Sequence, residues 1–358
     1  KMIFKINTFM TIPVWKYFCF AISIILASCS INSFIEPIIV DQQTYYDSNY
    51  PAGHSSEYLN SLVESVKRIS NTAYYKTYII SPQYKLTDVD IIDVDLKKAS
   101  SDIIYYNEST YGTSTIIYSN LQKMMLLTCA HIISFPDTIV NYFITSESET
   151  EKIISDISIK VNQHYYINDI SVTGKYQLLA KDNNLDIALI GATFKDKPFI
   201  NYNVFNYPFG NSSKLDWGSF VYIIGFPMGS KMVTTGIVSL IDPSDNSSDF
   251  LVDALFNRGF SGGIVLATRN GIPNFELVGL TKSVSSNSAK LLKPSQTGDE
   301  PQILHIPFEG EILISEQVTL NYGVTNVVSI NAIREFISDN SDILIKNGYV
   351  VEDFIQTK

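Results

Sequence analysis

Residues 259–263 read Gly-Phe-Ser-Gly-Gly, and the meaning of Ser261 within them decides how the chain folds. A serine flanked by glycines sits on a tight turn, where the backbone bends sharply and can aim its amides outward. The pentapeptide also satisfies G-x-S-x-G, the strand-to-helix elbow of open parallel sheets, in which an acid and then a histidine follow the serine. Only His305 follows Ser261, Asp299 stands just before it, and the chain upstream has no repeated strand–helix units. Upstream, however, His131 stands in T-C-A-H and Asp186 in L-D-I-A-L-I. The order His, Asp, Ser argues against the elbow, because each fold that builds such a triad keeps its own order.

The chemistry explains why these residue types belong together. A serine hydroxyl is a poor nucleophile at neutral pH; it needs a base within hydrogen-bond reach, and the base needs a partner to fix its tautomer. His131 follows the apolar run Met124 to Thr128, so it emerges where a strand ends. Asp186 precedes I-A-L-I, a carboxylate at the mouth of a buried strand. The N–H groups of Gly259 and Ser261 are the candidate oxyanion donors. His54, His164 and His305 have no such context, and neither the histidine spacing nor the cysteines form a zinc pattern. No metal or cofactor is expected.

Around these residues the texture is that of strands. From Tyr74 onward, short β-branched and aromatic runs such as T-S-T-I-I-Y-S, M-M-L-L-T and S-F-V-Y-I-I-G alternate with Gly, Asn, Asp and Pro. About a dozen such runs call for all-β barrels or sandwiches. Leu59, Leu62, Val63, Val66 and Ile69 recur at helical steps and predict a helix over 55–69, capped by Ser55 or Ser56. Ile330, Ile333, Phe336 and Ile337 predict a closing helix, and a short helical turn is expected over 341–345. Residues 87–101 and 285–316 read as inserted surface loops.

The chain of 358 residues is 45% hydrophobic and 17% charged, so it has ample material for a core. Its net charge of −10 argues against a nucleic-acid partner, since phosphates reward Lys and Arg. Residues 18–27 form an apolar run too short to span a bilayer, preceded by Lys1, Lys5 and Lys16 and by no acid. It ends in Leu26-Ala27-Ser28-Cys29, which resembles the bacterial lipobox. The expectation is a signal over 1–28, lipidation of Cys29 and a tether over 29–54. The product would be exported to the bacterial cell envelope and held on a membrane by its anchor. With Cys29 acylated, Cys129 has no disulfide partner.

The resemblance carried by these motifs is to the trypsin-like serine peptidases, nearest their bacterial Deg/HtrA type. Gly218 to Ile241 resembles that type's strand, Gly-x-Pro-x-Gly turn and T-x-G-I-V-S strand, and Asp253 to Gly263 is similar to its D-A-x-I-N-x-G-N-S-G-G. The likeness covers about residues 56–338, with gaps. It implies two six-stranded antiparallel β-barrels, roughly 70–200 and 201–330, with a helix at each end and the triad in the cleft between them. The peptidase domain would span 55–340 and a C-terminal extension 341–358, too short for the PDZ domain such proteins usually carry. It also implies an endopeptidase acting on protein or peptide substrates, with Leu255, Phe256, Leu280, Thr281 and Lys282 around the primary pocket. No carboxylate stands at the floor position Leu255, so a loose aliphatic preference is expected. The chain departs from the family at Phe260, where Asp or Asn is usual, at Cys129, where small residues are usual, and at Lys282, in place of a small polar residue. The rival class is a catalytically silent trypsin-like binding module; oligomeric state is not legible.

Overall fold

The computed structural model describes residues 45–355, apart from 52, 93, 144–151, 171–174, 196–200, 242–248, 256 and 295–311. Cys29, Phe256 and His305 therefore lie outside the described residues.

Two antiparallel β units make up the fold. The first is a sheet in the order β4-β5-β1-β2-β3-β7-β6. Its strands are β1 (Val66–Ile80), β2 (Ser100–Ser119), β3 (Lys123–Thr128), β4 (Thr138–Tyr142), β5 (Ile154–Ile167), β6 (Tyr176–Asp182) and β7 (Ile187–Thr193). The second is a closed barrel in the order β10-β13-β12-β11-β8-β9. Its strands are β8 (Phe220–Gly225), β9 (Met232–Ile241), β10 (Asp249–Asp253), β11 (Ile264–Thr268), β12 (Phe275–Pro294) and β13 (Ile312–Ser329). The all-β, trypsin-like expectation holds, with one difference. The first unit is a seven-stranded sheet, because β1, β2 and β5 run 15, 20 and 14 residues and β4 adds itself along β5.

Burial places the functional ends. β3 and β7 are apolar on both faces, and Met124, Met125, Leu126 and Leu127 are completely enclosed, as are Ile187 to Ile190. Strands covered on both sides read as continuous hydrophobic runs, and each such side chain contributes about 1.5–3 kcal/mol by leaving water. The β3–β7 register pairs Thr128 with Ala188. The chain leaving β3 and the chain entering β7 therefore meet at one end of the sheet, which is where His131 and Asp186 stand.

Several boundaries differ from the sequence expectation. The first helix, α1, ends at Val63 (Ser56–Val63), and Val66 and Ile69 belong to β1. Ser65 makes the change: its hydroxyl bonds the Leu62 carbonyl at 2.7 Å, while its own carbonyl accepts the Ile116 amide at 2.9 Å and draws the chain into the sheet. Residues 87–101 hold a short helix, α2 (Leu96–Ala99), capped by Asp95. Residues 285–316 are not simply a loop, since β12 and β13 extend into a ribbon paired as far as Pro294 with Ile312.

At the C-terminus, α4 (Ile330–Asp339) begins at the Ser329 cap and buries the predicted face, Ile330, Ile333, Phe336 and Ile337. It is followed by α5 (Ser341–Lys346) and α6 (Glu352–Ile355). Residues 341–355 are part of the body: Leu344, Tyr349 and Val351 are buried, and the Tyr349 hydroxyl reaches the Met124 carbonyl at 3.4 Å.

The described end of the expected tether is docked rather than loose. Tyr46 is buried and its hydroxyl donates to Glu276 at 2.6 Å. Asp47 exchanges backbone bonds with Thr268 and Phe220, and its carboxylate accepts the Asn270 and Gly271 amides at 3.1 and 2.8 Å.

Candidate active site

His131 stands in the single turn α3 (Ala130–Ile133), directly after β3. Asp186 holds it from below with both carboxylate oxygens. Oδ1 accepts the His131 backbone N–H at 2.8 Å, and Oδ2 lies 2.7 Å from ring Nδ1. The Asp186 carbonyl also takes the Ala130 amide at 3.2 Å. Asp186 adopts a left-handed backbone, φ 61°, a region that Asp visits more readily than most residues. An ionised carboxylate only accepts, so the contact fits an Nδ1–H donor, the tautomer whose neutral ring offers Nε2 as an acceptor. The imidazole is 47% exposed while Asp186 is 10% exposed, so the ring reaches the surface and its partner does not.

Ser261 comes from the second unit, in the turn between β10 and β11. Two glycines are required there. Gly259 has φ 104°, and a Cβ on it would meet the Phe226 carbonyl oxygen at 2.2 Å. Gly262 has φ 80°, and a Cβ would meet the Thr113 carbonyl oxygen at 2.1 Å. Thr113 of β2 clamps this turn to the first unit. Its amide donates to the Ser261 carbonyl at 2.8 Å, and its hydroxyl donates to the Gly259 carbonyl at 2.7 Å while accepting the Phe226 amide at 2.9 Å. Beside it, Gly112 fills a gap with Ile132 on one side and the Ser261 carbonyl on the other, 2.3 and 2.8 Å from where its Cβ would stand. One residue therefore separates the serine turn from the neighbour of His131. Among the described residues the Gly259 and Ser261 amides donate to nothing.

The three departures from the family pattern find physical accounts. Phe260 is buried, with its ring against Gly225 in the barrel interior. Cys129 is a fully buried free thiol whose Sγ contacts the Thr281 carbonyl at 3.2 Å. Burial pushes that thiol up, and the Asp186 carboxylate pushes it further. The donor atoms of Cys129, His131 and Asp186 all lie within 4.8 Å of one another. The 2.7 Å contact between His131 and Asp186 is a hydrogen bond, shorter than two ligands on one tetrahedral ion allow at bonds of about 2.1 Å. Lys282 donates to Asp249 at 3.2 Å and to the Asn184 carbonyl at 3.4 Å, tying β12 to β10 and to the turn before Asp186.

The described members of the expected pocket differ in burial. Leu255 is 69% exposed, so it forms no floor, while Leu280 and Thr281 are fully buried. The Thr281 hydroxyl is spent on the Phe260 and Gly263 carbonyls, at 2.6 and 3.1 Å. Lys282 faces its carboxylate partner. Alternation along β12 turns these side chains inward or sideways. A cavity of about 550 Å³ lies elsewhere, bounded by Ile117, Tyr118, Phe205, Tyr207, Phe209 and Phe354. Sequence reasoning missed Gly112 and Thr113, whose signal was a glycine opening the hydroxyl run Thr113-Ser114-Thr115 ahead of Ile116 and Ile117.

Residues 112–280 match the family model of the trypsin-like peptidase domain. The matched stretch, a little under half of the chain, contains His131, Asp186 and Ser261. Among solved structures it is similar to the HtrA-type protease AlgW with a tripeptide, at 16% identity and a TM-score of 0.41, covering 83% of this chain and 65% of that one. An AlgW variant with a decapeptide gives 17% identity and a TM-score of 0.40, with 83% and 68% covered. No curated protein matches the sequence.

Proposed function

We propose that the chain is a serine endopeptidase that hydrolyses peptide bonds through an acyl-enzyme on Ser261. The observation that carries this reading is the two-pronged grip of Asp186 on His131, at 2.8 and 2.7 Å. That grip orients the ring and leaves Nε2 as the acceptor. In the proposed reaction His131 Nε2 takes the Ser261 hydroxyl proton as Oγ bonds to the scissile carbonyl carbon. The Gly259 and Ser261 amides receive the developing oxyanion. His131 then gives the proton to the leaving amine as the C–N bond breaks, and water, deprotonated by the same ring, releases the acid. No cofactor enters.

A fluorophosphonate probe applied to the purified chain tests this directly. Labelling at Ser261 that is lost in His131→Ala supports the reading; a folded chain that takes up no label is a binding module.

The same reading includes export and lipid anchoring at Cys29, supported by Leu26-Ala27-Ser28-Cys29 after a basic and apolar leader. Each buried acyl CH₂ contributes about 0.8 kcal/mol, and stable anchoring takes more than one chain. Cys29→Ala then moves the protein to the soluble fraction or stalls its processing. Persistence of the variant in carbonate-washed membranes contradicts the anchor.

A further inference from the structure

We propose that Arg68 forms a subsite for a carboxylate of the substrate, on the leaving-group side of Ser261. The proposal rests on the peptidase reading above. In the β1–β2 register Arg68 lies directly opposite Thr113. Directly opposed residues of an antiparallel pair share a face, so the Arg68 side chain stands on the face from which the Thr113 hydroxyl holds the Gly259 carbonyl. The guanidinium lies over the Tyr111 ring, 5.4 Å from its centroid. Its Nη1 is 3.2 Å from where a side chain on Gly229 would begin. Gly229 belongs to the turn 227–229, in which the Met228 amide donates to the Arg258 carbonyl at 2.9 Å. The cation therefore sits against the turn that is bonded to Arg258, the residue before Gly259.

Among the described residues its charge has no counter-ion: no carboxylate pairs with Arg68, and its Nε is buried without a hydrogen-bond partner. The neighbouring acid Glu64 is taken by Lys231 at 2.9 Å. Arg68 is half-buried, and the flanking Tyr111 and Met228 are 39% and 71% exposed, so the notch opens to solvent. A partly desolvated guanidinium without an acid offers a fork that matches one carboxylate.

The topology assigns the side. Strand β12 flanks Ser261 through the Gly262 amide, which donates to the Thr281 carbonyl at 2.8 Å. Placing the acyl part of a substrate along that flank, as the proposal does, leaves the flank holding Arg68 to the departing segment. The carboxylate could belong to an Asp or Glu side chain or to the C-terminus of a short leaving peptide.

The test uses an array of decapeptides in pairs that differ only by Glu for Gln, and a second set in pairs of free-acid and amidated ends. Binding is measured to the purified Ser261→Ala chain, so that it does not depend on turnover. A set of pairs is expected in which the acid member binds about tenfold more tightly, as hydrogen bonds to a charged group allow. That preference falls to within about twofold in Ser261→Ala/Arg68→Gln, survives in part in Ser261→Ala/Arg68→Lys, and shrinks as salt is raised. Which set responds distinguishes a side-chain carboxylate from a terminal one. Pairs that bind alike, or a preference that persists without Arg68, overturn the subsite. Should Arg68→Gln not fold, equal binding of acid and neutral peptides by Ser261→Ala alone is still decisive. Cleavage of the neutral peptides by the wild-type chain, without any acid preference, leaves the peptidase reading standing. An acid preference in binding without cleavage of any pair leaves the subsite and removes the peptidase reading.

Discussion

Asp186 does two jobs with one carboxylate, fixing the backbone of His131 and its ring. Asp186→Asn keeps the size but offers an amide N–H where Nδ1 needs an acceptor. The ring then takes the wrong tautomer, and kcat is expected to fall by about 10⁴ while the fold persists. Peptide hydrolysis together with thermal melting measures both; a variant within tenfold of wild type removes Asp186 from the mechanism. Gly112 makes a sharper case, because its role is space alone. A methyl there meets both Ile132 and the Ser261 carbonyl, and the latter is backbone already bonded to Thr113. Gly112→Ala is expected to lower kcat more than it raises KM, and an unchanged kcat contradicts the packing account. Cys129 belongs to the same scale: its thiol is enclosed and held protonated by burial beside Asp186. In the native chain it resists iodoacetamide at pH 8.5 and reacts once guanidinium unfolds the protein. Rapid alkylation of the folded chain contradicts its placement.

At the scale of elements, legibility followed how local the deciding contacts are. The contact between His131 and Asp186 was legible because each lies in its own short motif, and the closing helix because its apolar face and Ser329 cap are adjacent in sequence. The helix over 55–69 was overread because Val66 and Ile69 fit a helical step as well as a strand interior. Only Ser65, bonding across to Ile116, decides between them. The ribbon over 285–316 was hidden since its pairing partner lies beyond the intervening 295–311. The partners of two expected pocket residues were hidden for a related reason: Lys282 finds Asp249 and Thr281 finds Phe260 at long range, and neither contact leaves a mark in local sequence.

The docked arm was missed likewise, because Tyr46 meets Glu276 and Asn211 at long range. Removing that hydroxyl leaves the half-buried Asn211 amide without its acceptor, although Glu276 keeps Arg269. Tyr46→Phe is expected to cost about 1–3 kcal/mol. A denaturation midpoint unchanged from wild type means that the arm is a passive overlay.

Across the whole molecule the buried tyrosines set an alkaline limit. Desolvation raises Tyr46 and Tyr176 well above the ordinary phenol, and Tyr349 is pushed up to about 12. Raised folded values mean that the unfolded chain loses protons first. Stability is therefore full below about pH 10, where the unfolded phenols titrate, and declines as pH rises toward the folded values. Urea midpoints should be flat with respect to these groups up to about pH 9.5 and drop beyond it, and a midpoint that rises from pH 10 to 11 contradicts their burial.

The central claim of the proposed function is that Ser261 and His131, carried by β units that meet at Thr113 and Gly112, act together as nucleophile and base. Mass-spectrometric mapping of a fluorophosphonate adduct on the purified chain tests it most directly. One adduct is expected, on Ser261, with labelling at least about 10³-fold slower in His131→Ala, since a triad residue acts as part of a unit worth about 10⁶. An adduct on another serine, or labelling of Ser261 that is indifferent to His131, contradicts the account.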